Sequence, residues 1–145
     1  MTAGPAPAAG TILVVEDHSD TRRLVDHTLR GSGYQVIAAS GGTEAVSLVT
    51  AHPGEIVLLI SEVLLWGMTG AELYGRIRQK HHRLRVLFMS GFTDQVLRQH
   101  GISPTAVPFL RKPFGPPALV EKVREVLQSP APNGGGSSGS SGSSS

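Results

Sequence analysis

Residues Ile56-Val-Leu-Leu-Ile60 form an apolar run with no alternation, which ends in Ser61 and Glu62 and a loop containing Gly67 and Gly70. A strand that is apolar on both faces has to be covered on both faces. That marks an interior strand of a parallel α/β sheet rather than a half-solvated antiparallel one. Open sheets of this kind bind ligands outside the carboxyl ends of their strands. Glu62, an acid at such an end, is therefore the first candidate site residue.

The rest of the chain repeats the theme. Thr11-Ile-Leu-Val-Val15 is a second unalternated run and ends in Glu16-Asp17. Ser19 or Asp20 is positioned to cap a helix with Leu24, Val25, Thr28 and Leu29 on one side, ended by Gly31 and Gly33. Residues 34–39 read as a short strand. Gly41-Gly42 makes a turn, Thr43 is positioned to cap a helix carrying Ala45, Val46 and Val49, and Pro53-Gly54 breaks the chain. Beyond Gly70 a helix turns Leu73, Tyr74 and Ile77 inward. Residues 86–89 form a strand ending in Ser90-Gly91, and a short helix covers 94–99. Residues 107–110 form a fifth strand that Pro108 confines to an edge. After Arg111-Lys112-Pro113-Phe114, a last helix over 116–127 carries Leu119, Val120, Val123, Val126 and Leu127 at helical spacing. Five alternations of strand and helix predict a doubly wound parallel sheet with helices on both faces.

Composition trims the 145 residues to one domain. Residues 1–10 have no periodicity and are expected to be disordered. Residues 133–145 contain only Asn, Gly and Ser, too polar to offset the entropy of ordering, so 129–145 reads as a flexible tail of the kind added by engineering. The domain proper is 11–128. With no cysteine there is no disulfide, thiolate nucleophile or Cys-based zinc site. No apolar run has the length of a membrane span and no signal segment precedes the fold, so a cytoplasmic protein without membrane contact is expected. The net charge is only +2. Arg76, Arg78, Lys80, Arg83 and Arg85 cluster near one helix end, where cations complement the helix dipole; this reads as solvated surface rather than a nucleic-acid patch.

In a doubly wound sheet the strand ends deliver Glu16, Asp17, Glu62, Ser90 and Lys112 to one rim. Three carboxylates offer hard oxygen ligands suited to magnesium. A lysine and a hydroxyl suit the oxygens of a phosphoryl-like group. Each residue alone has an ordinary explanation: an acidic pair caps a helix, a serine before glycine makes a turn, a lysine before proline sits on the surface. Only their joint placement at successive strand ends carries weight.

With these segments in view (Ile12-Leu-Val-Val-Glu-Asp17, Gly67-Met-Thr-Gly70, Val86-Leu-Phe-Met-Ser-Gly91 and Leu110-Arg-Lys-Pro-Phe114) the chain resembles the receiver domains of two-component response regulators, especially receivers fused to hybrid histidine kinases. The resemblance implies a flavodoxin-like fold with strand order 2-1-3-4-5 and a cis peptide bond at Lys112-Pro113. It implies that Glu16 and Asp17 hold Mg2+ together with the residue at position 62 and the backbone carbonyl of Leu64. Ser90 then matches the switch hydroxyl, Phe109 the switch aromatic and Lys112 the phosphate-binding lysine. Glu62 falls on the aspartate that accepts the phosphoryl group, and there the chain departs from the family.

Misplacing a nucleophile by ~1 Å can cost ~100-fold in rate, and glutamate moves its carboxylate by about that much. Acceptance of phosphate at Glu62 is therefore expected to be absent or severely slowed. The same extension carries charge toward Ser90 and Lys112 and partly imitates a phosphorylated state, with one charge and two oxygens in place of nearly two charges and three oxygens. The domain then acts as a protein-interaction module. The resemblance implies a histidine kinase, a phosphotransfer protein or another signalling protein as partner, no nucleic acid, and a surface made by the fourth helix, fifth strand and fifth helix (Val96, Arg98, Phe109, Glu121). Homodimerisation is left open. Trp66 stands where proline is usual; a partly buried loop anchor is expected, with an exposed anchor for a partner as the alternative. His18, His27, His52, His81, His82 and His100 show no metal-ligand spacing. Two alternatives remain: a working Mg2+-dependent receiver that accepts phosphate at Glu62 or Ser61, and a flavodoxin-like enzyme or cofactor binder. The second lacks a G-x-G-x-x-G, a P-loop or a nucleophile elbow.

Overall fold

The computed structural model describes residues 10–130. The expected disordered segment 1–10 lies outside them except for Gly10, and so does the Gly/Ser-rich tail from residue 131 onward. The elements are β1 (Thr11–Val15), α1 (Ser19–Gly31), β2 (Gln35–Ala39), α2 (Gly42–Ala51), β3 (Ile56–Glu62), β4 (Leu64–Leu65), β5 (Met68–Thr69), α3 (Gly70–Arg78), β6 (Arg85–Ser90), α4 (Asp94–Gln99), β7 (Phe109–Arg111) and α5 (Pro116–Gln128).

Five strands pair in parallel in the order β2-β1-β3-β6-β7. This is the 2-1-3-4-5 order of a flavodoxin-like sheet, with the small β4–β5 hairpin standing apart from it. Every residue of β1 and β3 is buried, as their unalternated sequences require. Alternate side chains along these strands enter different cores. Leu13, Val15 and Leu59, with Val63 just beyond β3, join the core under α2, α3 and α4. Ile12, Val14, Leu58 and Ile60 join the core under α1 and α5, which pack on each other.

Helix ends account for the small departures from expectation. His18, not Ser19 or Asp20, occupies the N-cap of α1 with no side-chain cap bond, and Gly41 rather than Thr43 caps α2. Thr69 and Glu72 form a reciprocal capping box at α3. Helix α4 ends in a Schellman motif: Ile102 N–H bonds to Leu97 O and Gly101 N–H to Arg98 O, with Gly101 at φ +76°, where a residue without a Cβ is favoured. The last strand begins at Phe109 rather than 107. Pro108 has no N–H for the ladder, but its carbonyl accepts from Phe88 N–H at 3.1 Å.

Candidate functional site

The strand order reverses direction at β1, so β1 and β3 open a crevice at their carboxyl ends. Glu16 leaves β1 there and Glu62 ends β3. Both are buried, Glu16 with only 1% of its surface exposed. Ser90 ends β6, and Lys112 follows β7 with its backbone N–H bonded to Ser90 O at 2.9 Å. That bond brings the lysine from the sheet edge over the crevice. The Lys112–Pro113 peptide is cis.

Lys112 Nζ donates to Glu62 Oε1 and lies 2.7 Å from Glu16 Oε1. The contact to Glu16 is an ion pair without hydrogen-bond alignment, since that oxygen has no aligned donor. Glu16 Oε2 accepts from His18 N–H at 3.0 Å, and its carbonyl accepts from Arg22 on α1 at 2.8 Å. One ammonium thus faces two buried carboxylates. Burial pushes the Glu62 carboxyl up to about 7; the Lys112 ammonium pulls the other way, and Glu16 adds to the rise. Burial by itself would lower Lys112, but its contacts with the Glu16 and Glu62 carboxylates outweigh it and hold the ammonium above the ordinary lysine value.

The remaining predicted residues sit around this trio. Ser90 is fully buried and its hydroxyl oxygen accepts from Phe92 N–H at 2.9 Å, leaving its proton free to donate. Phe109 is half-buried against the core under α4, with the Arg111 guanidinium 5.4 Å from its ring centre. Arg111 also pairs with Asp94 and donates to Phe92 O at 2.7 Å. Asp17 is exposed and does not join Glu16 and Glu62. Among the described residues no three acidic or histidine side chains converge as a metal cluster. Leu64, half-buried, opens the β4–β5 hairpin two residues after the acid. Gly70 lets α3 start against that strand end: a Cβ there would lie 2.6 Å from Glu62 O and 2.9 Å from the Phe88 ring.

The expectation of a partly buried Trp66 is overturned, because the residue is 93% exposed. The hairpin pairs Leu64 with Thr69 and Leu65 with Met68. Leu65 is buried and Met68 lies over Gly42, so these two side chains fill the inner side and the turn carries Trp66 outward. Sequence reasoning missed Arg22 as a support of Glu16. It also missed the capping box, although Thr69-Gly-Ala-Glu72 is a legible signature for one.

A parallel five-stranded sheet in this order, with acids, a hydroxyl and a lysine at its carboxyl edge, defines a flavodoxin-like receiver fold. The chain belongs to the response regulator receiver domain family, whose pattern matches residues 12–124, and it is a domain of two-component signalling. It is 29% identical over 120 residues to the sensor kinase CckA of Brucella abortus (strain 2308), a match covering 83% of this chain and 13% of the kinase. It is 29% identical over 116 residues to the response regulator receiver protein CpdR of the same organism, covering 80% of this chain and 95% of CpdR. The crystal structure of the receiver domain from the hybrid histidine kinase CckA superposes with a TM-score of 0.68 at 35% identity, over 82% of this chain and 100% of that domain. The chain therefore spans a small part of the sensor kinase and nearly the whole of CpdR. Among the described residues no helix is long and apolar enough to cross a membrane.

Proposed function

We propose that this domain is a receiver whose phosphoacceptor position is held by Glu62, and that it works as a protein-interaction module that does not accept phosphate efficiently. The observation that carries the reading is the direct bond from Lys112 to the Glu62 carboxylate, with Glu16 on the same ammonium. In phosphoryl transfer a carboxylate oxygen attacks phosphorus in line while the bond to the leaving nitrogen breaks, and the lysine stabilises the charge in transit. Here the lysine is already engaged by a side chain one methylene longer than aspartate. Its partner carboxylate is partly protonated near neutrality, which weakens it as a nucleophile. The same bond supports a bias toward an active-like state, since Glu62 supplies negative charge beside Lys112 without modification.

Ser61 is a poor second acceptor. It is fully buried, its hydroxyl donates to Glu62 O at 2.8 Å, and it alternates onto the opposite sheet face from Glu62. Magnesium would take the hard oxygens of Glu16, Asp17, Glu62 and the Leu64 carbonyl, but the set is not assembled as folded. Lys112 Nζ lies 2.7 Å from Glu16 Oε1 and donates to Glu62, and Asp17 is exposed, so the ion would have to displace the lysine. Once bound, the ion would neutralise charge on phosphoryl oxygens. The partners proposed for the domain are a histidine kinase, a phosphotransfer protein or another signalling protein.

Intact-mass measurement after incubation with Mg2+ and acetyl phosphate tests the reading, with Glu62→Asp in parallel. The expected result is no phosphoryl adduct on the native chain and one on the variant. An adduct on the native chain at a rate matching the variant would overturn it.

A further inference from the structure

We propose that the face carrying Trp66 is a self-complementary interface on which two copies of this chain pair about a two-fold axis, each seating its Trp66 indole in a cavity beside the other's β4–β5 hairpin. The cavity has a volume of about 300 Å³. Its floor is Val63 and Phe88, its walls Ile102 and Val107, and its mouth includes Ala71 and Ala106. The floor residues are buried and the mouth residues exposed, so the pocket opens to solvent. The volume lies at the small end of the about 300–1,000 Å³ that accommodates organic ligands, and an apolar lining of this size suits one indole. Ser103, also at the mouth, offers a hydroxyl acceptor for the indole N–H, the polar end that a buried tryptophan has to satisfy.

Placement makes the partner a second copy. Val63 directly precedes β4 and Ala71 lies in the first turn of α3, just after β5. The root of the hairpin therefore builds part of the cavity's floor and mouth while its tip carries the knob. Two-residue strands at about 3.3 Å per residue put knob and hole only about 7 Å apart along the hairpin. With knob and hole on one face, a single two-fold rotation can seat each knob in the other copy's hole, and such an isologous contact closes at two copies.

Charge agrees with this pairing. Exposed Glu72 follows Ala71 on the hairpin side of the mouth. Exposed Arg98, whose carbonyl accepts from Gly101 N–H, lies on the α4 side. A two-fold axis sets the hairpin side of one copy against the α4 side of the other, so Glu72, whose Oε1 already accepts from Thr69 N–H in the α3 cap, meets Arg98 twice through its second oxygen. The area sets the strength. Each buried tryptophan covers about 150–250 Å², so two of them and the walls they touch amount to roughly 600–1,000 Å² in total. That falls short of the about 1,200 Å² of stable interfaces, and the dimer is weak and reversible rather than obligate.

Trp66 is the only tryptophan, so intrinsic emission reports on it alone. Sedimentation equilibrium and emission spectra of the full chain are recorded together, from low micromolar to near-millimolar concentration. The expected result is a mass rising from the 15.2 kDa monomer toward twice that value, with emission moving to the blue in step. Trp66→Ala stays monomeric throughout. Ala106→Phe, which fills the cavity and keeps the indole, stays monomeric with emission at the exposed wavelength; a thermal melt checks its fold, and Trp66→Ala decides alone if it fails. A native chain that stays monomeric overturns the proposal. So does a dimer that survives Trp66→Ala, or blue emission at every dilution, which would put the indole in its own cavity.

Discussion

The two ends of the sheet bury titratable side chains for different purposes. At the carboxyl end Glu16, Glu62 and Lys112 are in contact with one another and each charge depends on the others. At the amino end His81 Nδ1 accepts from Ile56 N–H at 3.2 Å, and His52 Nε2 lies 3.0 Å from Thr11 Oγ1, so two imidazoles terminate the first residues of β3 and β1. Burial lowers the His81 pKa, which keeps that ring neutral and able to accept. Ordering at the carboxyl end is electrostatic and conditional, because a proton, a metal ion or a phosphoryl group can compete for it. Ordering at the amino end rests on one backbone amide held by the neutral His81 ring and on one side-chain contact between His52 and Thr11.

Substitutions can break that contrast. Lys112→Met leaves two buried carboxylates without a counter-charge, and loss of one partner in such a cluster costs about 3 kcal/mol. Urea unfolding at pH 8 is expected to show that loss, and at pH 5, where Glu62 takes a proton, most of it disappears. A loss independent of pH would mean that the lysine acts by packing alone. His81→Phe leaves Ile56 N–H without its acceptor and is expected to cost about 2 kcal/mol.

The pH dependence sharpens the comparison because the two ends have opposite slopes. Glu62 titrates near 7 in the fold and near its ordinary 4.5 when unfolded, so between those values the folded state binds more protons. Its contribution is complete below about 4.5 and is lost as pH rises toward 7. His81 titrates below its ordinary 6.5 in the fold, so there the unfolded state binds more protons and stability grows as pH rises to 6.5. Melting temperature against pH should lose its falling component in Glu62→Gln and its rising component in His81→Phe. The same slope in both variants would refute the assignment. Smallest is Asp94→Ala, which removes an exposed partner of Arg111 and is expected to change stability by less than about 1 kcal/mol in a thermal melt.

Much of this architecture was legible because its signals are local and redundant. The unalternated runs at Ile12 and Ile56 could only be interior strands, and Gly, Pro and polar clusters marked the breaks between five strand–helix units. The gathering of Glu16, Glu62, Ser90 and Lys112 followed from strand direction alone. What escaped depends on three-dimensional competition. The hairpin after Glu62 has strands of two residues, too short for any periodicity. Glu16 and Asp17 are adjacent and chemically alike, yet alternation along an extended chain sends one inward and the other to solvent. Trp66 was expected to bury itself, but Leu65 and Met68 fill the inner side of the same turn.

The brevity of β7 has a consequence for how copies of this protein can meet. The strand has three residues and forms one border of the sheet, with Pro108 immediately before it and Pro113 two residues beyond. An intruding strand seeking to extend the sheet by backbone pairing would find few amides to bond and a ring at either side. Amyloid-like growth from that border is thereby discouraged, and reversible association is left to side chains such as the hairpin tryptophan.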